Sequence, residues 1–424
     1  MTGLDIGALD AAAKTYFRGT ERIEAPARTL ERVSGLLAAM GITRIANVTG
    51  LDKIGIPVVM ACRPNSRSVS VFQGKGADLD AARASGVMEA IETYHGETIL
   101  NPLKLASYEE MGREHAVLDA ATLPQSAGGC FHHHKPMLWI EGYDLMQEMA
   151  LWVPYEVVHT DFSASAPPAS GSFRISTNGL ASGNHLLEAV SHGLCEVVER
   201  DATTLWNYLD TRGKQESEIA PDSVDDDLCV DLMERCRRAG LSVRIWDATS
   251  DIGIATCVAE LRETSLHRGA VWGKAAFGSG CHPARGVALT RALTEAAQAR
   301  TTFIAGARDD MSWDDYDGDD VPAIAARSGH AGEPRYRTFP EIASWSSDTI
   351  RGDLLWAMDR LKSAGLERAI VVDLTKAEFA LPVVRVIVPG LEGPDEHYED
   401  YVPGPRAQAL TEALADGFDG TAQR

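Results

Sequence analysis

Three segments of this chain each carry a pair of acidic or amide side chains three residues apart, downstream of a glycine. The pairs are Glu89 with Glu92, Glu196 with Glu199, and Glu295 with Gln298. The first two pairs follow Gly76 and Gly183 by thirteen and sixteen residues, and the third follows the Gly-Ser-Gly turn at 278–280. This regularity indicates a diverged internal repeat of about a hundred residues.

The acids are expected to lie on buried helices. Residues three apart share a helix face, and Glu188 joins the second pair because it precedes its two members by eight and eleven residues. The surrounding residues are apolar on nearly every side, which predicts burial. Buried carboxylates are costly unless cations compensate them, and a bound divalent metal is the simplest compensation. Three solvated acidic helix faces are the alternative, because glutamate is common on helices.

Two arginines lie beside these acids. Arg200 directly follows Glu199, and Arg291 precedes Glu295 by four residues. Mixed charges on apolar helices indicate a site that holds a polyphosphate together with its metal ions. The alternative for Arg291 and Glu295 is a simple salt bridge between neighbouring turns of one helix.

Other metal sites are weaker hypotheses. The histidine cluster at residues 130–134 has no second group of ligands at metal-site spacing, and solvated side chains are the alternative. His185 and His192 lie on the second acidic segment, but neither has the Glu-x-x-His spacing of a di-iron bundle. No Walker A sequence occurs, so a P-loop nucleotide site is not expected.

The composition narrows the class of protein. The net charge of −21 argues against a nucleic acid or an anionic membrane as partner. The seven cysteines are scattered and odd in number, as expected of unpaired thiols in a reducing cytoplasm. Neither a signal-peptide apolar region nor a run of eighteen apolar residues occurs, so we expect a soluble cytoplasmic protein.

Strand-like and helix-like segments alternate along the chain, which predicts an α/β or α+β fold. Predicted strands cover residues 56–62, 151–158, 241–246, 254–261, 369–374 and 382–389. Besides the acidic helices, helices are predicted at 228–239, at 353–364 and from residue 404 onwards. Residues 1 to about 50 are predicted to be helical, with a helix beginning at Pro26.

The acidic segments resemble a known family in more than their acids. The sequence S-V-F-Q-G-K-G with E-A-I-E, then S-T-N-G-L-A-S-G-N with E-V-V-E-R-D, then R-A-L-T-E-A-A-Q-A-R, resembles the YcaO family from about residue 18 to about residue 390. The resemblance implies the YcaO fold: mixed sheets with packed helices, internal pseudo-repeats and an ATP site between the acidic helices. We expect an N-terminal segment at 1–55 integrated with the core, a catalytic domain at 56–403 and a C-terminal tail at 404–424.

The resemblance also implies a chemistry. Family members bind ATP and Mg²⁺ and phosphorylate a backbone amide oxygen of a peptide, after which a sulfur, oxygen or nitrogen nucleophile attacks the carbon. By residue-for-residue matching, the metal ligands are Glu89, Glu92, Glu188, Glu196 and Glu199. The nucleotide-binding residues are Arg22, Thr29, Ser85, Asn184, Arg200, Arg291 and Glu295, of which the last three are also assigned to catalysis. Ala181 stands where the family can have serine, so any contact there must come from the backbone.

Finer similarities point to one subgroup. Residues 306–310, 371–375 and 382–386 resemble YcaO members associated with TfuA-like partner proteins, which install thioamides. The chain ends at 420–424 without the Pro-rich tail of azoline-forming members. We therefore expect a thioamide synthetase with a precursor peptide as substrate, sulfide or a sulfur carrier as donor, a TfuA-like partner and a homodimeric state. An azoline-forming cyclodehydratase and a non-catalytic nucleotide-binding accessory protein are the alternatives.

Overall fold

A computed structural model describes residues 10–163, 170–264, 275–308, 311, 336–393 and 401–419, the last five as backbone. The strands are β1 Arg44–Asn47, β2 Val58–Cys62, β3 Val71–Lys75, β4 Leu103–Ala106, β5 Met137–Asp144, β6 Met149–Pro154, β7 Leu180–Ser182, β8 Glu218–Ile219, β9 Leu241–Asp247, β10 Thr256–Glu263, β11 Ala276–Cys281, β12 Ile370–Asp373 and β13 Val383–Ile387. The helices are α1 Pro26–Val33, α2 Leu79–Glu97, α3 Tyr108–Glu114, α4 Leu186–Tyr208, α5 Thr211–Glu216, α6 Asp227–Arg238, α7 Arg285–Ala305, α8 Ile350–Ser363 and α9 Pro405–Asp419.

The strands form three antiparallel sheets. The first has the order β1-β2-β3, and the second has the order β11-β10-β9-β8. The third has the order β4-β5-β12-β13-β7, with β6 paired to β5. The mixed α/β architecture expected from the sequence is confirmed.

The sequence pattern located most elements. Each of the six predicted strands overlaps an observed strand, namely β2, β6, β9, β10, β12 and β13 in turn. The predicted helices at 228–239, at 353–364 and after residue 404 correspond to α6, α8 and α9. The division into segments 1–55, 56–403 and 404–424 stays a prediction.

The prediction of a helical N-terminal region was wrong for most of its described length. Only α1 forms, at the predicted Pro26, and residues 44–47 are strand β1. Every residue of β1 pairs with β2, whose residues 58–61 are fully buried. Cross-strand pairing against a buried strand therefore overrides the local helical pattern. Residues 1–9 lie outside the described part of the chain.

Three strand–helix units reproduce the repeat seen in the sequence. Strands β3, β7 and β11 each form one end of a sheet, and each is joined to the next helix (α2, α4 or α7) by three residues. The first connecting residue is Gly76, Gly183 or His282. Counting from these positions corrects the register of the third segment: Glu295 follows His282 by thirteen residues, as Glu89 follows Gly76.

Small residues let each helix lie directly on its strand. A Cβ atom on Gly74 of β3 would lie 2.0 Å from the Ala82 carbonyl oxygen and 2.1 Å from the Gly86 nitrogen of α2. A Cβ atom on Gly280 of β11 would lie 2.3 Å from the Ala288 carbonyl oxygen of α7. These contacts are with backbone atoms, so only glycine permits this approach. The close packing fixes the position of the acidic residues along each strand.

Each acidic helix is also anchored in its own hydrophobic core. Helix α2 contributes Val87 and Ile91 to a cluster that contains Trp139. Helix α4 packs against β13 in a second cluster, and α7 packs against β9 and β10 in a third. The helices that carry the charged residues are therefore held rigidly by apolar packing on their other faces.

Candidate functional site

The second acid of each pair binds the terminal strand of the following unit. Glu92 of α2 accepts hydrogen bonds from the backbone nitrogen and Oγ of Ser182 on β7, at 2.9 and 2.6 Å. Glu199 of α4 accepts hydrogen bonds from Ser279 Oγ at 2.7 Å and from the Cys281 nitrogen at 2.8 Å, both on β11. Because a terminal strand leaves backbone groups without a sheet partner, these carboxylates supply the missing acceptors.

The third unit completes the same pattern with an amide. Gln298 Nε2 of α7 donates to the Gln73 carbonyl oxygen on β3 at 3.1 Å. Helices α2, α4 and α7 therefore each contact the next unit's strand, and the three units close into a ring. The first member of each pair, namely Glu89, Glu196 or Glu295, is the residue left to face the interior of that ring.

The acids on α2 and α4 are poorly compensated. Burial raises the pKa of Glu89 to about 7, and the repulsion from Glu196 adds to it against the attraction of Lys75. Burial raises the pKa of Glu92 to about 8 in spite of its bonds to Ser182. Burial likewise raises the pKa of Glu196. Glu89 is solvent-accessible although protein atoms surround it, so it lines an open cavity rather than the outer surface.

The opposite side of the ring is basic. Although burial opposes the ionisation of Glu295, the cations Lys75, Arg200 and Arg291 lower its pKa to about 2. The ammonium of Lys75 forms an ion pair with Glu295. Glu295 is therefore a carboxylate at neutral pH and holds a cluster of cations beside the unpaired acids.

Arg291 belongs to the site rather than to a local helix pair. Its Nη2 lies 3.9 Å from Glu199 Oε2 on the neighbouring helix, and its buried Nε finds no hydrogen-bond partner among the described residues. Burial opposes the charge of Arg291, but Glu199 and Glu295 raise its pKa overall. An unpaired donor beside paired anions is suited to bind another anion, such as a phosphate.

The N-terminal segment reaches the same site. Arg22 Nη1 donates to Glu188 Oε1 at 3.0 Å, while Glu188 Oε2 is buried without a partner among the described residues. Asn184 Nδ2 donates to Thr29 Oγ1 at 2.8 Å. Arg22 and Thr29, which the family resemblance assigned to the nucleotide site, thus lie beside the second acidic helix.

Two further assigned residues lie on the inner helix faces. Ser85 precedes Glu89 by one helical turn and is half-buried. Arg200 lowers the pKa of both Glu196 and Glu295, so its guanidinium lies within electrostatic reach of two helices. Ala181 is buried in β7 and pairs with Val384, which leaves the backbone as its only polar group.

Sequence reasoning assigned no role to Lys75, Ser182 or Ser279, and it considered His192 only as a ligand of a di-iron site. The first three lie in the terminal strands just before the acidic helices, which is the signal that could have found them. His192 occupies the position of Ser85 and Arg291 in the other two units. Burial, followed by the charges of Arg291 and Arg22, holds the pKa of His192 well below its usual value, so its ring is neutral.

The structure does not support the alternative sites considered from the sequence, namely solvated acidic helix faces and histidine metal sites. Glu188 and Glu199 are 4 and 2 % exposed, which rules out a solvated acidic face on α4. The histidines at 132–134 are exposed, and His134 Nδ1 lies 2.7 Å from Glu109. His185 caps α4 by accepting a hydrogen bond from the Leu187 nitrogen.

The donor set fits magnesium that arrives with phosphate. Among the described residues, no three His, Cys, Asp or Glu side chains are arranged to hold a metal ion unaided. Mg²⁺ characteristically takes one or two carboxylates and completes its shell with phosphate oxygens and water. The raised pKa values of Glu89 and Glu92 show that a cation is needed to stabilise their ionised form. Residues of the acidic side would hold the metal, and those of the basic side the phosphates.

Comparison with known protein families shows which family this chain belongs to. Residues 73–392 match the family described as YcaO cyclodehydratase, ATP- and Mg²⁺-binding. The chain belongs to the YcaO family. Proteins of this family are generally ATP-dependent enzymes that act on peptides. ATP and Mg²⁺, the cofactors expected from the sequence, are thereby confirmed for the family to which the chain belongs.

Two relatives are similar over most of their length. An uncharacterized protein in the tfuA 3′ region of Rhizobium leguminosarum bv. trifolii is 39% identical over 381 residues, covering 88% of this chain and 89% of that protein. An uncharacterized protein of Methanothermobacter thermautotrophicus is 35% identical over 386 residues, covering 87% of this chain and 94% of that protein.

Solved structures share the fold. YcaO from Methanopyrus kandleri bound with AMPPCP and Mg²⁺ has a TM-score of 0.68 at 24% identity, covering 90% of this chain and 95% of that chain. A heterocyclase in complex with substrate and cofactor has a TM-score of 0.74 at 20% identity and covers 96% of this chain, which spans only 57% of the heterocyclase. Within the described residues, no helix is long and apolar enough to cross a membrane.

Proposed function

We propose that this protein uses ATP and Mg²⁺ to phosphorylate a backbone amide oxygen of a peptide, and that sulfur then replaces this oxygen to give a thioamide. The proposal is carried by the ring of three helices, in which poorly compensated acids on α2 and α4 face the basic cluster around Glu295. The thioamide outcome is supported by the 39% identical relative in the tfuA 3′ region. The fold shared with a YcaO protein bound with AMPPCP and Mg²⁺ supports the same nucleotide chemistry.

Each group of residues has a role in this proposal. Glu89, Glu92, Glu188, Glu196 and Glu199 would hold Mg²⁺, which would supply positive charge next to the transferring phosphoryl group. Arg200 and Arg291 stabilise that phosphoryl group, and Glu295 orients them through its own charge. Arg22, Thr29, Ser85 and Asn184 bind the rest of the nucleotide.

The chemistry balances without a redox partner. The amide oxygen attacks the γ-phosphorus of ATP, and ADP leaves. Hydrosulfide then attacks the activated carbon, so that a C–S bond forms, the C–O bond breaks, and phosphate departs with the S–H proton. Holding peptide and phosphate in one site supplies most of the rate advantage, as expected for a reaction limited by positioning.

The setting of the reaction is also part of the proposal. We infer a ribosomally made precursor peptide or a protein as substrate, sulfide or a sulfur carrier as donor, and a TfuA-like protein as partner. We also infer a homodimer in the cytoplasm. We expect neither a nucleic acid nor a membrane as partner, because the net charge of −21 repels anionic polymers and lipids.

The experiment is a reconstitution with purified protein, precursor peptide, ATP and sulfide, followed by mass spectrometry. Exchange of oxygen for sulfur adds about 16 Da per site, provided that the peptide is correctly positioned. A loss of about 18 Da, the water released when a Cys, Ser or Thr side chain closes a ring on the neighbouring activated amide, would replace the thioamide proposal with the azoline-forming one. The heterocyclase fold match is the observation that favours that second candidate.

Nucleotide turnover separates catalysis from scaffolding. The Glu199→Ala variant removes a proposed metal ligand together with the acceptor for Ser279 and Cys281. We expect it to abolish peptide-dependent ATP consumption. Unchanged turnover would remove the metal assignment, and an inactive native protein that still binds ATP would favour the accessory role.

A further inference from the structure

One buried cation, Arg385, has no acidic side chain within salt-bridge distance among the described residues. Strand β13 is apolar except for Arg385, and the alternation of the strand places Arg385 with Val383 and Ile387 on the face of the first hydrophobic core. The residue is 3 % exposed, and its Nε and Nη1 meet no acceptor among the described residues. Two guanidinium nitrogens buried without an acceptor among the described residues are unfavourable, so their presence calls for an anionic ligand.

Two more buried polar groups without a partner among the described residues are neighbours in the chain, at His159 and Thr160. His159 is fully buried and its Nδ1 accepts a hydrogen bond from the Asp161 nitrogen at 3.2 Å, so the neutral ring carries its proton on Nε2. Burial lowers the pKa of His159 to about 4, and Asp161 only partly opposes this. Neither Nε2 of His159 nor Oγ1 of the buried Thr160 has a partner within the described part of the chain.

Packing contacts connect these groups to Arg385. Arg385 is paired in register with Leu180 of β7, and the Leu180 side chain and Thr160 Oγ1 both lie against Gly96 at the end of α2. The charge of Arg385 contributes to the lowered pKa of His159. Thr160 therefore lies next to Leu180, the residue paired with Arg385, and His159 lies within electrostatic reach of the Arg385 guanidinium. The unpartnered nitrogens of Arg385 and His159 are hydrogen-bond donors.

This region lies directly behind the acidic ring. Val383 pairs with Ser182, the residue that anchors Glu92, and Arg385 is two residues further along β13, a distance of about 7 Å. Arg385 also lowers the pKa of Glu196, although burial has the larger, opposite effect. A ligand at Arg385 would therefore sit next to the phosphoryl-transfer site without occupying it.

We infer that Arg385, His159 and Thr160 form a small-anion subsite that holds the hydrosulfide nucleophile, an assignment that rests on the proposed function. One guanidinium compensates one negative charge, and the surrounding core residues make the site apolar. A weakly hydrated monovalent anion loses less solvation on entering such a site than a phosphate dianion does. Because the three groups donate hydrogen bonds, they bind the ionised nucleophile in preference to neutral hydrogen sulfide.

A crystal of the full chain soaked in sodium bromide tests the site without a peptide. Bromide is a soft monovalent anion with strong anomalous scattering, and it stands in for hydrosulfide. We expect an anomalous peak in contact with Arg385 and His159 Nε2 in the native protein, and none in Arg385→Met. Absence of the peak in the native protein, or its persistence in the variant, would overturn the inference. A parallel soak in sodium phosphate should leave the site free of phosphate, and phosphate bound there would reassign it to the phosphoryl group.

Sulfide kinetics test the role in the reaction. Arg385→Met should raise the KM for sulfide by roughly tenfold to a hundredfold, the cost of losing hydrogen bonds to a charged group, and leave the KM for ATP unchanged. Arg385→Lys should restore part of the loss. If the native enzyme forms thioamide and Arg385→Met has a normal KM for sulfide, the anion subsite is contradicted and the proposed function stands. If bromide binds but no thioamide forms, the proposed function fails and the anion subsite stands.

A matched variant separates this role from a structural one. Arg63 is also buried, but it donates to Glu97 Oε2 at 2.7 Å and to the Met40 carbonyl oxygen at 3.1 Å. Arg63→Met should therefore lower thermal stability, because it leaves Glu97 buried without its cation. Arg385→Met should leave thermal stability unchanged or higher, since it replaces an unpaired charge by an apolar chain of similar length. A loss as large as that of Arg63→Met would indicate a structural role and contradict the inference.

Discussion

Helix α7 carries two buried charged regions that differ in how well they are compensated. Near its end, Arg300 donates through Nε to Asp52 Oδ2 at 2.8 Å and through Nη2 to Glu263 Oε1 at 2.6 Å. Lys53 Nζ completes this network by donating to Glu263 Oε2 at 2.8 Å. Although burial opposes ionisation, Lys53 and Arg300 hold the pKa of Glu263 below its usual value.

Five and nine residues earlier, at Glu295 and Arg291, the same helix faces the ring, where the acids are poorly compensated. Burial raises the pKa of Glu92 to about 8, and the nearby Glu196 and Glu89 raise it further. Burial alone therefore does not identify the functional site, because both regions are buried. The functional site is identified by incomplete charge compensation. Protein groups neutralise the Arg300 network, whereas the ring requires cations and phosphates from outside the chain.

The largest expected effect comes from breaking the satisfied network. Arg300→Met leaves Asp52 and Glu263 buried with one cation fewer, and should lower the free energy of unfolding in urea by about 3–5 kcal/mol. ATP turnover measured well below the unfolding transition should be close to native. A stability loss below about 1 kcal/mol, the value of an exposed ion pair, would remove the contrast between the regions.

In the ring we expect the opposite of the Arg300→Met result: a loss of ATP turnover with no loss of stability. Glu196→Gln removes a proposed metal ligand and a like charge near Glu89 and Glu92, so ATP turnover should fall about a hundredfold or more while stability is kept or increased. Glu263→Gln is the matched control, with lower stability and retained turnover. If Glu196→Gln unfolded as readily as Arg300→Met, the ring would be a structural network like the other.

Both regions depend on the contact of α7 with β11. A Cβ atom on Gly278 would lie 2.2 Å from the Ala296 nitrogen and 2.4 Å from the Ala292 carbonyl oxygen, so Gly278→Ala must push the helix away from the strand. Overpacking of this kind costs about 1–3 kcal/mol, measured in urea, and should also reduce turnover by displacing Glu295. Gly112 lies in helix α3 with nothing within 4 Å of an added Cβ, so Gly112→Ala should be neutral or stabilising by up to about 1 kcal/mol. Equal stability of the two variants would contradict the close packing.

The smallest effect concerns pH. Glu89 and Glu92 have folded-state pKa values of about 7 and 8 against an ordinary value of 4.5, so the folded nucleotide-free protein retains protons that the unfolded chain releases. Their contribution to stability is fully present below about pH 4.5 and is lost as pH rises to about 8. Glu263, with its lowered pKa, contributes in the opposite direction. Thermal unfolding should therefore show that Mg²⁺ with ATP stabilises the protein more at pH 8 than at pH 6, and an equal shift at both values would contradict the ring account.

Local patterns in the sequence predicted what is locally determined. The acidic helices, their burial and six strands followed from periodicity and apolar runs. The ring itself did not, because Ser182 and Ser279 meet Glu92 and Glu199 only through contacts between separate sheets. Strand β1 was missed for the same reason. Arg385 carried a signal that was available, a single charge within an apolar strand. Part of the 306–310 segment lies outside the described residues.

The central claim is that the acids of α2 and α4 are clustered around one cavity because they hold metal-bound phosphates. The most direct test is a crystal grown with Mn²⁺ and AMPPCP, in which anomalous scattering locates the metal ions. The account predicts manganese bound to carboxylates among Glu89, Glu92, Glu188, Glu196 and Glu199, with the phosphates directed at Arg291. Nucleotide bound at saturation with no metal at these five residues would contradict it.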